Sequence, residues 1–158
     1  MPGALFDTNA WLAAIFTSHP FHLAAQTALQ AASPSEPAVF CRSTQQSFLR
    51  LVSTPALLKV YGAPHSTNGG MTNRDALAAL AALQALRQVR VADEPPGVFE
   101  LWCRFADLGT ASPKVWMDAY LAAFAVAGGL RMVTLDGDFR SYTTQGLTLD
   151  LIMPGAST

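Results

Sequence analysis

Short apolar runs alternate along this chain with longer stretches in which apolar residues recur every three or four positions, and Pro, Gly and Ser mark the boundaries. Ala4-Leu5-Phe6 is the first short run and predicts a strand that ends at Asp7. Thr8 to Phe16 then predicts a helix with Trp11, Leu12 and Ile15 on one face. A second helix is expected over Phe21 to Ala32, opened near His19-Pro20 and closed by Ser33-Pro34. Ala38 to Cys41 predicts a second buried strand, and Ser43 or Thr44 can cap a third helix running through Phe48, Leu49 and Val52 toward Pro55.

Tyr61 to Met71 holds Gly62, Pro64, Asn68, Gly69 and Gly70 and predicts a mobile loop. Thr72 or Asn73 caps a helix rich in Ala and Leu that reaches about Leu86. Val89 to Val91 is a brief third strand. Pro95-Pro96 opens a helix to about Leu108, and Ser112-Pro113 opens another through Ala127, stopped by Gly128-Gly129. Leu130 to Leu135 and Leu147 to Ile152 complete a set of five strands. Strands separated by helices pair in parallel, because parallel neighbours need a long crossover. The expected fold is therefore α/β, a three-layer sandwich around a five-stranded, mainly parallel sheet, in one domain spanning residues 1–158.

Composition supports a packed core. The chain has 158 residues, 51% hydrophobic and only 13% charged, with a mean hydropathy of +0.25. That excludes disorder, which needs low hydrophobicity and high charge. The Tyr120 to Val126 run is far short of the roughly 20 residues a membrane span requires. The N-terminus reaches Asp7 without a basic region, unlike a signal peptide. Cys41 and Cys103 share no metal-type spacing and read as two buried thiols of a reduced, cytoplasmic protein. Net charge is −1, so no global basic field marks a nucleic-acid partner.

The chemistry lies in the acids. Asp7 follows the first strand, and Asp136 and Asp138 follow the fourth. Strand ends in a doubly wound sheet converge on the edge where ligands bind. Asp118 stands among Trp116, Met117, Tyr120 and Leu121 in the first turns of the Ser112 to Ala127 helix. Two carboxylates about 4 Å apart repel by roughly 4 kcal/mol at an effective dielectric of 20. Such a cluster either raises its pKa values or binds a cation. A hard divalent ion such as Mg²⁺, which takes one or two carboxylates and keeps waters, suits the second outcome. Each acid also has a plain reading. Asp7-Thr8-Asn9 can be a helix cap, Asp136-Gly137-Asp138 a turn, and Asp118 a charge favoured by the helix dipole.

The runs LFDTNAWLA at 5–13, WMDAYLAAFA at 116–125 and VTLDGDF at 133–139 resemble the signatures of PIN-domain ribonucleases. The likeness is greatest to the VapC-type toxins of bacterial toxin–antitoxin pairs, and CRSTQQSFLRLVSTP at 41–55 resembles a subgroup of them. The resemblance implies a Mg²⁺- or Mn²⁺-dependent endoribonuclease, leaving a 5′-phosphate and a 3′-hydroxyl. It implies Asp7 and Asp118 as the main metal ligands, Asp136 completing the cluster and Asp138 near it. Asn9 and Thr134 would orient carboxylates by hydrogen bonding. It also implies an RNA substrate, an antitoxin protein that silences the site, and a homodimer.

One departure stands out. Most members place a glutamate in the helix after the second strand, and this helix has Ser43-Thr44-Gln45-Gln46-Ser47 instead. Glu36 precedes the strand and cannot substitute. Gln45 or Gln46 would offer only a neutral oxygen to a metal-bound water, which leaves a catalytically silent RNA- or protein-binding module as the alternative function.

The remaining polar residues are less specific. His19 and His22 flank Pro20 and read as turn residues, and His65 as a solvated loop residue. No histidine lies near the acid motifs, no Gly-x-Ser-x-Gly or glycine-rich phosphate loop is present, and no lysine follows a late strand as a receiver-type phosphotransferase would need. Arg50 is a possible RNA contact. Lys59, Arg74 and Lys114 could rim a groove, and Trp116 could stack a base or pack in the core. The outer face of the Thr72 to Leu86 helix is a candidate subunit or antitoxin interface.

Overall fold

The computed structural model describes residues 3–61 and 71–154. The glycine-rich loop expected over Tyr61 to Met71, with His65, lies almost wholly outside the described residues. The strands are β1 (Ala4–Phe6), β2 (Ala38–Phe40), β3 (Val89–Val91), β4 (Arg131–Thr134) and β5 (Leu149–Leu151). They form one sheet in the order β3-β2-β1-β4-β5. Every pairing is parallel, so the sheet is wholly rather than mainly parallel.

Helices cover both faces. α1 (Thr8–Ile15), α2 (His22–Ala31), α3 (Arg42–Val52), α4 (Pro55–Tyr61) and α5 (Asn73–Gln84) pack on one side, and α6 (Val98–Ala106) and α7 (Val115–Ala127) on the other. Side chains alternate across each strand. Ala4, Phe6, Ala38, Phe40 and Val133 enter the first core, and Leu5, Val39 and Met132 the second. The first core centres on Trp11, whose ring stacks on Phe40 at 3.8 Å and tilts against Phe6 at 4.9 Å. The Trp11 indole N–H is buried without a hydrogen-bond partner.

Several boundaries differ from the sequence expectation for local reasons. α3 begins at Arg42, ahead of Ser43, because Thr44 turns back: its hydroxyl accepts from the Cys41 N–H at 3.0 Å. Pro55 does not simply end a helix but opens α4, since proline suits a first helical turn. α6 starts at Val98, after Gly97 at φ 87°. Gly128 caps the C-terminal end of α7, and Gly129 at φ 63° turns the chain into β4. Residues read as a plain turn after β4 form a 3-10 helix, Gly137–Gln145. Cys41 is buried but Cys103 is exposed, because α6 turns that side away from the sheet; two buried thiols were expected.

β1 sits at the centre. The chain leaves it toward β2 and β3 on one side and later builds β4 and β5 on the other. The switch point is therefore the crevice beyond the ends of β1 and β4, where doubly wound folds bind ligands. Asp7 and Asp136 both lie there.

Candidate active site

Asp7 is the first residue after β1 and the N-cap of α1. Its N–H extends the ladder to the Val133 carbonyl at 2.8 Å. Oδ1 accepts from the Thr8 N–H at 2.7 Å, so the plain capping role is real. Oδ2 accepts from the Thr134 hydroxyl, also at 2.7 Å. Thr134 is fully buried at the end of β4 and accepts in turn from the Asp136 N–H at 3.0 Å. Asn9 closes the network: its Nδ2 approaches Thr134 Oγ1 at 3.3 Å, and its Oδ1 accepts from the Leu135 N–H at 3.1 Å. One buried hydroxyl thus ties the ends of β1 and β4 together and orients two acids.

Asp136 caps the 3-10 helix by accepting from the Asp138 N–H at 2.8 Å, which leaves Asp138 exposed at the rim. Asp118 lies in the first turn of α7 and is half-buried. Burial pushes its carboxyl up to about 6, and the neighbouring charges of Asp136, Asp7 and Asp138 add to the rise, with Lys114 opposing it. Burial also pushes Asp7 up; hydrogen bonds from Thr134 and Thr8 pull it back, and Asp136 raises it further. Asp118 therefore feels Asp7, Asp136 and Asp138, and Asp7 feels Asp136, although Asp7 and Asp136 stand 129 residues apart in the chain.

Among the described residues none of them forms a salt bridge, and Lys114 only partly offsets the rise at Asp118. The ion pair found among the described residues is Arg131 with Asp150, on the opposite end of β4. Hard carboxylate oxygens that repel one another and lack a cationic partner fit a hard divalent ion. Among the described residues no three His, Cys, Asp or Glu side chains are arranged to hold an ion directly.

The comparisons with known proteins bear on this edge. The model of the PIN domain matches residues 4–144, which run from β1 through the 3-10 helix. The chain is 45% identical over 139 residues to Ribonuclease VapC41 of Mycobacterium tuberculosis, covering 87% of this chain and 92% of that protein. This chain belongs to the PIN-domain family, among the VapC-type ribonucleases.

Solved VapC structures share the PIN fold at low identity. VapBC2 from Rickettsia felis, solved bound to a promoter DNA fragment, matches with a TM-score of 0.63 at 13% identity, over 94% of this chain and 97% of that one. VapC20 of Mycobacterium tuberculosis, described as a toxin cleaving the sarcin–ricin loop, matches with a TM-score of 0.57 at 20% identity, over 92% and 97%.

Other candidate residues of this VapC-type chain fall elsewhere. Gln45 is buried; its Nε2 donates to Gln84 Oε1 at 2.6 Å and its Oε1 accepts from Arg42 at 2.9 Å. Gln46 is exposed and lines a separate cleft. Arg50 is not brought to the acids. It sits in the last turn of α3, beside Leu77 of α5. Helix rise alone puts it about 12 Å beyond Arg42, away from the edge where β2 ends. His19 serves its turn, accepting from the Phe21 N–H at 3.1 Å. Trp116 is 57% exposed rather than a core residue, because Trp102 holds it edge-on at 6.5 Å on the outside of α7. Leu77 is exposed while Leu80 and Leu83 are buried, so α5 does present an apolar outer residue.

Tyr142 was not foreseen. Its ring packs between Phe105 and Phe139, and burial with the charges of Asp118 and Asp138 pushes its phenol up. Its spacing of three from Phe139 was the available signal, legible only once a helix is known there.

Proposed function

We propose that this protein is a metal-dependent endoribonuclease that hydrolyses phosphodiester bonds in single-stranded RNA, and that it acts as the toxin of a toxin–antitoxin pair. One observation carries the reading: carboxylates from three distant stretches of chain meet at the switch point, where Asp136, Asp7 and Asp138 raise Asp118 and Asp136 raises Asp7, with no ion pair to any of them among the described residues. Family membership points the same way, since the relative with 45% identity is named a ribonuclease.

Asp7, Asp118 and Asp136 would hold the ion, in part through its bound water, with Mg²⁺ as the ion and Mn²⁺ as substitute, and Asp138 would complete the acidic rim. When bound, the ion supplies positive charge to the phosphate and acidifies water. The chain's own groups prepare for this. Thr134 and the Thr8 N–H fix both oxygens of Asp7, each of which keeps a lone pair for a ligand. Asn9 fixes Thr134. The products carry a 5′-phosphate and a 3′-hydroxyl.

Residues 1–158 act as one PIN-like domain in this reading. Structural neighbours were solved as VapBC complexes, which supports an antitoxin partner; a homodimer in the cytoplasm completes the proposal. No helix among the described residues is long and apolar enough to cross a membrane.

The test is cleavage of single-stranded RNA by purified protein in Mg²⁺, Mn²⁺ or EDTA. Products are expected only with metal, and Asp7→Asn and Asp118→Asn reduce them to background with an unchanged circular dichroism spectrum. Cleavage that survives both substitutions overturns the assignment. The absence of an acid on α3 favours one rival, a silent RNA-binding module, which would bind RNA and give no metal-stimulated products.

A further inference from the structure

A second polar cleft opens beside the acidic edge, where β2 and β3 end. Its volume is about 330 Å³, within the range of roughly 300–1,000 Å³ in which proteins hold small ligands. Arg42, Ser43 and Gln46 line it from α3, Asp93 and Glu94 from the segment after β3, and Tyr120 from α7. β2 adjoins β1, whose end carries Asp7. Neighbouring strands lie about 4.8 Å apart, so the cleft stands one to two strand spacings from Asp7 along the same edge. Tyr120 follows Asp118 by two positions, which puts it on another face of α7. The helix offers its acid to one site and its tyrosine to the other.

The walls carry distinct chemistry. Arg42 is exposed and has no carboxylate partner among the described residues. One of its N–H groups is held by Gln45, which is itself buried and anchored on Gln84. The other guanidinium donors are left for an acceptor such as a phosphate. Glu94 Oε2 accepts from the Tyr120 hydroxyl at 2.7 Å, which fixes the carboxylate and leaves Oε1 free. A carboxylate only accepts, so it selects a base edge made of N–H donors. The Tyr120 ring, set edge-on against Trp102 at 5.4 Å, adds an aromatic wall.

We infer that this cleft binds the nucleotide next to the scissile phosphate, with Arg42 on an RNA phosphate and Glu94 reading the base, and that it favours guanine, whose Watson–Crick edge carries two adjacent N–H donors. Gln45, in the helix where the family pattern expects an acid, is then a positioning residue for Arg42. The inference rests on the acidic edge being where RNA is cut.

The experiment measures binding of short labelled single-stranded RNAs, identical except for one base, to the whole protein in EDTA by fluorescence anisotropy. The same RNAs are assayed for cleavage in Mg²⁺. The guanine-containing RNA should bind roughly tenfold tighter than its inosine counterpart, which lacks one N–H donor group. Glu94→Gln should erase that difference. Arg42→Ala should weaken every RNA by roughly tenfold without changing base preference. Gln45→Ala should weaken binding as Arg42→Ala does, and the double substitution should weaken it no further, as expected if Gln45 acts only through Arg42. Equal affinity for all bases in the unaltered protein, or undiminished affinity in Arg42→Ala, overturns the inference. Guanine-selective binding without metal-dependent cleavage would sink the nuclease reading alone; cleavage without base preference would sink the cleft assignment alone.

Discussion

The Thr134 hydroxyl donates to Asp7 Oδ2 at 2.7 Å, linking the last residue of β4 to the first residue after β1. The same oxygen accepts from the Asp136 N–H, so one buried side chain sets the direction of two acids.

Thr134→Val keeps the shape and removes both bonds. Asp7 then loses a donor in a buried setting and the Asp136 N–H loses its acceptor. We expect a loss of about 1–3 kcal/mol in urea unfolding, and RNA cleavage reduced roughly 10–100-fold, as for other groups that orient metal ligands. Full activity in Thr134→Val would show that Asp7 needs no such support.

Stability should fall as pH rises through the acidic range when metal is removed. Asp118 is pushed up to about 6 from an ordinary value of 3.8, and Asp7 is raised as well. Between those limits the folded chain binds more protons than the unfolded one, so unfolding becomes easier with rising pH and levels off above about 6. Asp118→Asn should flatten the profile. Mg²⁺ should raise the melting temperature above pH 6, with an effect that shrinks as protons compete below it. A metal-free melting temperature that does not change from pH 4 to 6.5 would contradict the raised acids.

Restoring the family's acid should not tighten metal binding. Gln45 points its oxygen at Arg42 and its amide at Gln84, so Gln45→Glu adds charge where Arg42 meets it. We expect unchanged Mg²⁺ affinity by isothermal calorimetry. A large gain would mean that residue 45 turns toward the ion.

Arg50→Ala should leave RNA cleavage unchanged, because Arg50 lies at the end of α3 remote from the acids. A marked rise in KM would show that RNA reaches around the α3–α5 face.

Trp11→Ala should cost about 3–5 kcal/mol, the usual range for a buried Trp truncation. Trp11 is fully buried, stacks on Phe40 and seats α1, the helix that Asp7 caps. Calorimetric unfolding measures the loss, and a change under 1 kcal/mol would mean the core closes around the gap.

Much of this was legible without coordinates. Apolar runs such as Ala4-Leu5-Phe6 and Ala38-Val39-Phe40 have no choice but a buried strand, and the helices between them force parallel pairing. That placed Asp7 and Asp136 at strand ends before any contact was known. Local capping was harder to read: Thr44 hydrogen-bonds backward to Cys41, and Asp136 nucleates a 3-10 helix in place of a turn. Periodicity carries no signal for either, because each rests on a single side chain.

What the sequence determined by itself is the order of strands and helices, since burial of periodic apolar positions is a local demand repeated along the chain. Only the tertiary structure decided which polar groups meet. It brought Thr134 to Asp7, took Gln45 to Gln84 and Arg42, left Arg50 at the far end of α3 and put Trp116 on the surface of α7. Hydrogen bonds and charge coupling act between neighbours in space over a few ångströms, and residues more than a hundred positions apart become neighbours only when the sheet assembles.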